Sequence, residues 1–336
     1  MTTVQTYTTL QQHIYANQPS GVRGQLSALL NQLGIASVYI SSLAGRGVLA
    51  DAHGLAGNIN VQGEEVKRLD ELADAAITKY LLNQNLAVAL ASEEREDILV
   101  TGAVPKNGSG YAVLFDPLDG SGNIENNGVV GGIFSVQRVV NNSNLTSADL
   151  FQPGKKQAAS AFTVFGQRTM FVYTTGSSVH EFTYTPDIGQ FVLTHENIRM
   201  PNYNPLICVN TRDYPQWLVQ IQDYYKRVLG MEQGKRGFNS RNWGSMVGDV
   251  YRTLLQGGIF MYPGTINKPN GKLRLLYECG PLALIVNAAG GSAESWSPEN
   301  GFQSILDITP TALHQRTPIF IGSKGNIEEL KTYLNK

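Results

Sequence analysis

One stretch narrows the fold more than any other: Tyr111-Ala-Val-Leu-Phe-Asp116-Pro-Leu-Asp119-Gly-Ser-Gly-Asn123. Its apolar run, Ala112 to Phe115, is short and bounded by turn formers, which predicts a buried strand rather than a helix. Asp116 then falls at the strand's carboxyl end. Pro117 restricts it to extended backbone, so the chain leaves the sheet without entering a helix at once. Asp119 follows, and Gly120, Ser121 and Gly122 bring backbone amides close beside it. Two carboxylates at a strand end, followed by permissive backbone, suit a hard divalent cation and a phosphate. The acids supply oxygen ligands, while amides and the Ser hydroxyl receive phosphate oxygens. D-x-x-D-G is also ordinary turn chemistry, and this stretch alone favours the turn.

Other acids bear on the choice. The apolar run Leu86 to Ala91 reads as a second buried strand, and it ends in Ser92-Glu93-Glu94-Arg95-Glu96-Asp97. A charged run after a strand is usually an exposed turn. If the two strand ends are neighbours, however, four carboxylates converge and repel one another unless a cation neutralises them. Asp70 and Asp74 stand at i and i+4 on a helix expected from Glu64 to Leu82, near the edge of its apolar stripe, with Asp74 expected to be a solvated charge. In Gly271-Lys-Leu-Arg-Leu-Leu-Tyr-Glu278, alternation puts Lys272, Arg274 and Glu278 on one side of an extended segment. Pro281 and Gly290 frame a buried helix from Leu282 to Ala289, so Glu278 lies just ahead of a helix start. It either favours the helix dipole or joins the acids as a further ligand.

The remaining sequence supplies the frame. With 336 residues, 42% hydrophobic and 16% charged, the chain is not disordered and can bury a large core. An α/β fold of two lobes is expected, 1–200 and 201–336, parted at Pro201-Asn-Tyr-Asn-Pro205. Residues 1–19 read as a polar arm, Gln25 to about Leu43 as a helix, and Ala44 to Gly63 as a long Gly-rich connection, either a mobile functional loop or plain surface. Strand-like segments at 131–140, 158–164, 169–173 and 179–184 suggest an antiparallel extension of the first sheet. In the second lobe, strands are expected at Leu206–Val209 and Ile259–Tyr262, and helices near 215–229 and 245–255. A net charge of −1 gives no case for nucleic acid or a membrane surface, and the longest apolar runs are too short to span a bilayer. Cys208 and Cys279 fit no metal spacing or disulfide framework, and no targeting signal is convincing. A reducing, cytoplasmic setting is therefore expected.

Asp116-Pro-Leu-Asp119-Gly-Ser resembles the signature of the lithium-sensitive, magnesium-dependent phosphomonoesterases. Together with Ser92-Glu93-Glu94, Arg241 ahead of Gly244-Ser-Met-Val-Gly-Asp249, and Gly271-Lys-Leu-Arg-Leu-Leu-Tyr-Glu-Cys279, it resembles class I fructose-1,6-bisphosphatase, in register from about Gln25 onward. The resemblance implies a layered α-β-α-β-α sugar-phosphatase fold, usually a homotetramer, and hydrolysis of the 1-phosphate of fructose 1,6-bisphosphate. It implies that Glu93, Glu94, Asp116, Asp119, Glu278 and the Leu118 carbonyl bind two or more magnesium ions, with manganese an alternative. Asp70 is implied to help Glu94 deprotonate the attacking water, and Gly120, Ser121 and Arg274 to receive the 1-phosphate. Asn210, Met246, Tyr262 and Lys272 correspond to sugar and 6-phosphate contacts, and Arg241 to a residue inserted into a neighbouring subunit's site.

Departures accompany the likeness. Asn242 stands where a family Tyr contacts the 6-phosphate, which keeps open sedoheptulose 1,7-bisphosphate as a substrate. At the family's AMP site Tyr111 and Arg138 fit, but Gly110 replaces a Lys, and Arg23 and Gln25 replace Thr and Glu. Altered or diminished AMP inhibition is the expectation, with Arg23 a substitute charge. A reading of another class, an inactive sugar-phosphate or nucleotide sensor, is opposed by a competent oxygen donor at every metal-ligand position.

Overall fold

Alternation along the strands sorts this chain into layers. The computed structural model describes residues 6–17, 24–59, 65–103, 109–140, 144–231 and 237–335. Seven helices are found among them: α1 (Leu10–Asn17), α2 (Gln25–Arg46), α3 (Arg68–Leu82), α4 (Val219–Val228), α5 (Met246–Gln256), α6 (Gly280–Ala288) and α7 (Lys324–Leu334). A small antiparallel ribbon joins β1 (Leu55–Ile59) and β2 (Glu65–Lys67). An eight-stranded sheet holds β3 (Ala89–Ser92), β4 (Leu99–Val100), β5 (Ser109–Asp119), β6 (Gly131–Val140), β7 (Gln157–Phe165), β8 (Thr169–Thr174), β9 (Val179–Thr185) and β10 (Gln190–His195), in the order β10-β9-β8-β7-β6-β5-β3-β4. Its strands pair antiparallel except β3 with β5.

The second sheet has six strands: β11 (Leu206–Val209), β12 (Asn239–Arg241), β13 (Ile259–Tyr262), β14 (Ser292–Ser297), β15 (Gly301–Ser304) and β16 (Ile319–Gly322), in the order β12-β11-β13-β16-β14-β15. Along β7, Ala159 and Ala161 face a core built with α1, α2 and α3, whereas Phe162 and Val164 face a core containing α5 and α6. Along β11, Leu206 and Cys208 enter that same middle core, and Ile207 and Val209 face α4 and α7. Side chains of successive strand residues point to opposite faces. The resulting order is helix, sheet, helix, sheet, helix, as the resemblance implies.

The helix α2 shows how burial decides between contexts. With the 3₁₀ turn that follows, it runs 26 residues and holds an 18-residue window of mean hydropathy 1.4, long and apolar enough by composition to cross a membrane. Leu29, Leu30, Leu33, Ala36 and Ile40 are nonetheless sealed in the first core. Each large apolar side chain so buried contributes about 1.5–3 kcal/mol, and the helix serves as a core element. The expectation concerned uninterrupted apolar runs, and this helix passes only by length and average composition, with polar residues along it.

Several boundaries move. The polar arm contains α1, which docks Leu10 and Ile14 on the first core. The second helix begins at Arg68, Glu64 lying outside the described residues. The Gly-rich connection expected from Ala44 instead continues α2 to Arg46, then forms the turn Gly47–Ala50 and β1, with residues 60–64 outside the described residues. Asp116 is not the strand's last residue: β5 continues to Asp119, with a register shift between the two acids. Pro117, which cannot donate to the ladder, sits within that irregularity.

Candidate active site

The parallel pairing of β3 with β5 sets Ser92 opposite Phe115, and the Glu93 amide donates to the Phe115 carbonyl at 3.1 Å. Both carboxyl ends therefore open on the same side. Asp70, Glu93, Glu94, Asp116, Leu118, Asp119, Gly120, Ser121, Tyr262, Lys272, Leu273, Arg274 and Glu278 line one cavity there, of about 210 Å³. Asp116, Asp119 and Glu278 each bring a carboxylate oxygen within 4.8 Å of the other two, and all three are buried.

The charge is costly where it stands. Burial, reinforced by Glu93, Asp119 and Glu278, pushes the Asp116 carboxyl well above the usual carboxylate range. Burial and Glu93 do the same to Glu278 against the opposing pull of Arg274. Asp119 is raised by burial, although Ser245 Oγ and the Val247 amide donate to its Oδ2 at 2.6 and 2.8 Å and favour its anion. Asp70 is pushed up to about 7, by burial first and then against the pull of the Lys67 amide, which donates to it at 3.0 Å. That bond belongs to the capping of α3, so the helix start fixes the carboxylate.

Cationic groups share the cavity lining with the acids. Buried Arg274 approaches Glu93 at 3.2 Å, and Lys272 Nζ lies 3.1 Å from Asp213. Lys272 and Arg274 both line the cavity, but so does Leu273 between them, and the backbone bends at Lys272 and Leu273 rather than running extended to Glu278. Leu275–Cys279 forms a π-helical turn leading into α6, and the Arg274 amide donates to Glu278 Oε2. Gly120, at φ +81°, begins the 3₁₀ turn Ser121–Asn126, and a Cβ there would sit 2.6 Å from Ser245 Cβ. Only glycine permits this approach.

Other expected residues stand apart from the cavity lining. Met246 is buried at the start of α5, and Asn210 caps a 3₁₀ turn by accepting from the Arg212 amide at 3.0 Å. Arg241 is exposed on the edge strand β12. Tyr111 and Arg138 are cross-strand partners on β5 and β6, five residues from Asp116 and so about 17 Å up the strand. Arg23 lies outside the described residues. Asp74 corrects its expectation: it is buried and receives Arg95 Nη2 at 2.5 Å, tying the Glu93-Glu94-Arg95 run to α3. Sequence reasoning missed Ser245 and Asp213 as partners of site residues. Ser245 was findable, because a Ser ahead of a helical pattern signals an N-cap, here accepting from the Gly248 amide.

Comparison with known proteins covers almost the whole chain. The family model for the fructose-1-6-bisphosphatase N-terminal domain matches residues 3–196, and that for the C-terminal domain matches 200–335. A class 1 fructose-1,6-bisphosphatase of Cytophaga hutchinsonii is 42% identical over 99% of this chain and 94% of the relative. One of Trichodesmium erythraeum is 40% identical over 98% and 91%. Among solved structures, Leishmania major fructose-1,6-bisphosphatase in holo form superposes with a TM-score of 0.91 at 34% identity, covering 99% of this chain and 100% of that one. The T-state form of the same enzyme gives 0.86.

Proposed function

This chain belongs to the fructose-1,6-bisphosphatase family, and on that footing we propose that it hydrolyses the 1-phosphate of fructose 1,6-bisphosphate, leaving fructose 6-phosphate. The observation that carries the reading is the single cavity in which six acids face Lys272 and Arg274. Hard oxygen donors whose mutual repulsion and burial leave their charge unbalanced fit magnesium or manganese. Glu93, Glu94, Asp116, Asp119, Glu278 and the Leu118 carbonyl would hold two or more such ions. Bound there, they supply Lewis acidity toward the phosphoryl oxygens and offset charge that builds in the transition state.

The chain's own groups do the rest. Glu94 accepts the proton of the attacking water, helped by Asp70, which the start of α3 holds in the same cavity. The amides at Gly120 and Ser121 and the Arg274 guanidinium receive the 1-phosphate. Lys272 and Tyr262 orient the sugar, with Asn210 and Met246 supporting the distal half. Arg241, exposed on an edge strand, suits a role in a neighbour's site within a homotetramer. Tyr111 and Arg138, paired across β5 and β6, would serve an effector end, with Arg23 outside the described residues. The two lobes, 1–200 and 201–336, each contribute to the cavity, and the free buried cysteines suit a reducing cytoplasm.

One observation keeps a second substrate in view: Asn242 is exposed, and its Oδ1 accepts from the Gly244 amide at 2.8 Å, so it offers no phenol to the distal phosphate. Phosphate release from fructose 1,6-bisphosphate and sedoheptulose 1,7-bisphosphate, with magnesium and after chelation, tests the proposal. Chelator-sensitive release from the fructose compound is expected. Faster release from the sedoheptulose compound would reassign the substrate, and no release from either would refute the activity.

A further inference from the structure

Far from the acidic cavity, α1 lies on the sheet with His13 facing β8 and β9. The geometry points to a second cation site, for a borderline first-row divalent ion such as zinc, made by His13, His180 and Glu196. One ligand atom of each lies within 4.8 Å of the others. His13 Nε2 is 3.7 Å from Glu196 Oε1, and the two imidazole rings are 4.3 Å apart.

His13 carries the argument. Its Nδ1 is hydrogen-bonded to the Tyr173 hydroxyl at 2.9 Å, while its Nε2 is buried without a hydrogen-bond partner among the described residues. A buried ring nitrogen in that state calls for an explanation. The Tyr173 contact also supplies the outer partner that orients a ligating imidazole: in the tautomer a cation would select, Nδ1–H donates to Tyr173 and the Nε2 lone pair faces the ion beside Glu196. His180 is 7% exposed and has both nitrogens engaged: Ser178 Oγ lies 2.7 Å from Nε2, and the Asn197 amide donates to Nδ1 over 3.3 Å. Ligation costs one of these contacts, and the longer is the weaker. Glu196, 63% exposed, is free to close the remaining distance. Burial lowers the pKa of both imidazoles, so at neutral pH they are uncharged, as ligands must be.

Two histidines and one carboxylate, with a position left for water, match a common zinc donor set. The three ligands come from α1, from β9 and from the residue just past β10, so a bound ion would fasten the N-terminal helix to the sheet. The alternative is an aromatic cluster of His13, Tyr173, His180 and Phe182 that packs without any ion.

Cobalt(II) distinguishes the two and separates this site from the catalytic cavity. The full-length, metal-stripped protein is titrated with cobalt(II) under excess magnesium, which occupies the all-oxygen site. Four-coordinate cobalt with nitrogen ligands absorbs strongly in the visible, and six-coordinate oxygen-bound cobalt only weakly. Strong bands saturating at a single equivalent and bleached by zinc are expected. Glu196→Gln, a change at an exposed side chain, should weaken cobalt binding about tenfold or more, and His13→Gln should abolish the bands. Only the weak spectrum in the parent protein, or full bands in Glu196→Gln at unchanged affinity, would overturn the proposal.

Discussion

Replacing Asp70 with Asn removes one titrating proton from the acidic cavity and almost nothing else. The amide keeps an oxygen for the Lys67 N–H that caps α3. In the metal-free protein, burial and then the nearby Glu93 raise the Asp70 carboxyl from 3.8 to about 7. A group whose folded-state pKa lies above its unfolded value contributes stability that is fully present below the unfolded pKa. That stability is lost as pH rises through the folded pKa. The displacement corresponds to a ceiling of about 4 kcal/mol, reduced in practice because the neighbouring carboxylates share protons. Urea unfolding in chelator, from about pH 4 to about pH 8, reads this directly. Wild type should lose stability toward the alkaline end, partly through Asp116, Asp119 and Glu278, which shift the same way. Asp70→Asn should show a shallower slope and exceed wild type at about pH 8 by about 2–4 kcal/mol, while its turnover with magnesium falls roughly 10²–10⁴-fold. Parallel pH curves, or a variant less stable than wild type at the alkaline end, would refute the assignment of strain to Asp70.

Asp119→Asn keeps an acceptor for Ser245 and Val247, so calorimetry should find the fold intact while turnover drops by about 10³-fold or more. Gly120→Ala forces a Cβ against Ser245 at a positive φ; a loss of about 1–3 kcal/mol in denaturant unfolding, together with impaired turnover, is expected. If Arg241 serves a neighbouring subunit, mixing inactive Asp119→Asn chains with Arg241→Ala chains under subunit exchange should regenerate activity, because some sites then pair intact carboxylates with an intact arginine. Activity no greater than the sum of the separate proteins would sink that role.

Much of the site was legible because its parts lie at element ends that sequence marks well. Asp116 and Glu93 follow apolar runs, and strand adjacency alone brings them together. Gly120 and Ser121 are flagged by their residue types. The turn at Leu275–Cys279 was not legible, since Leu-Leu-Tyr alternation looks the same whether the backbone is extended or wound. Nor did spacing reveal Asp213 beside Lys272 or Arg95 on Asp74, because long-range ion pairs leave no local period. The layers themselves were readable only in outline. Which face of β7 or β11 meets which helix depends on tertiary packing that each strand's alternation permits but does not choose.

Ser245 and Val247 grip Asp119 across more than a hundred residues of chain, and Glu278 arrives later still. During synthesis the earlier acids emerge well before these partners, and domains tend to fold as they emerge. A truncated or stalled chain would therefore present a crowded set of carboxylates without Arg274, the cation that offsets them. Hydrolysis becomes available only when both halves have docked, so the appearance of activity in a translation reaction is itself a clock for the completion of folding.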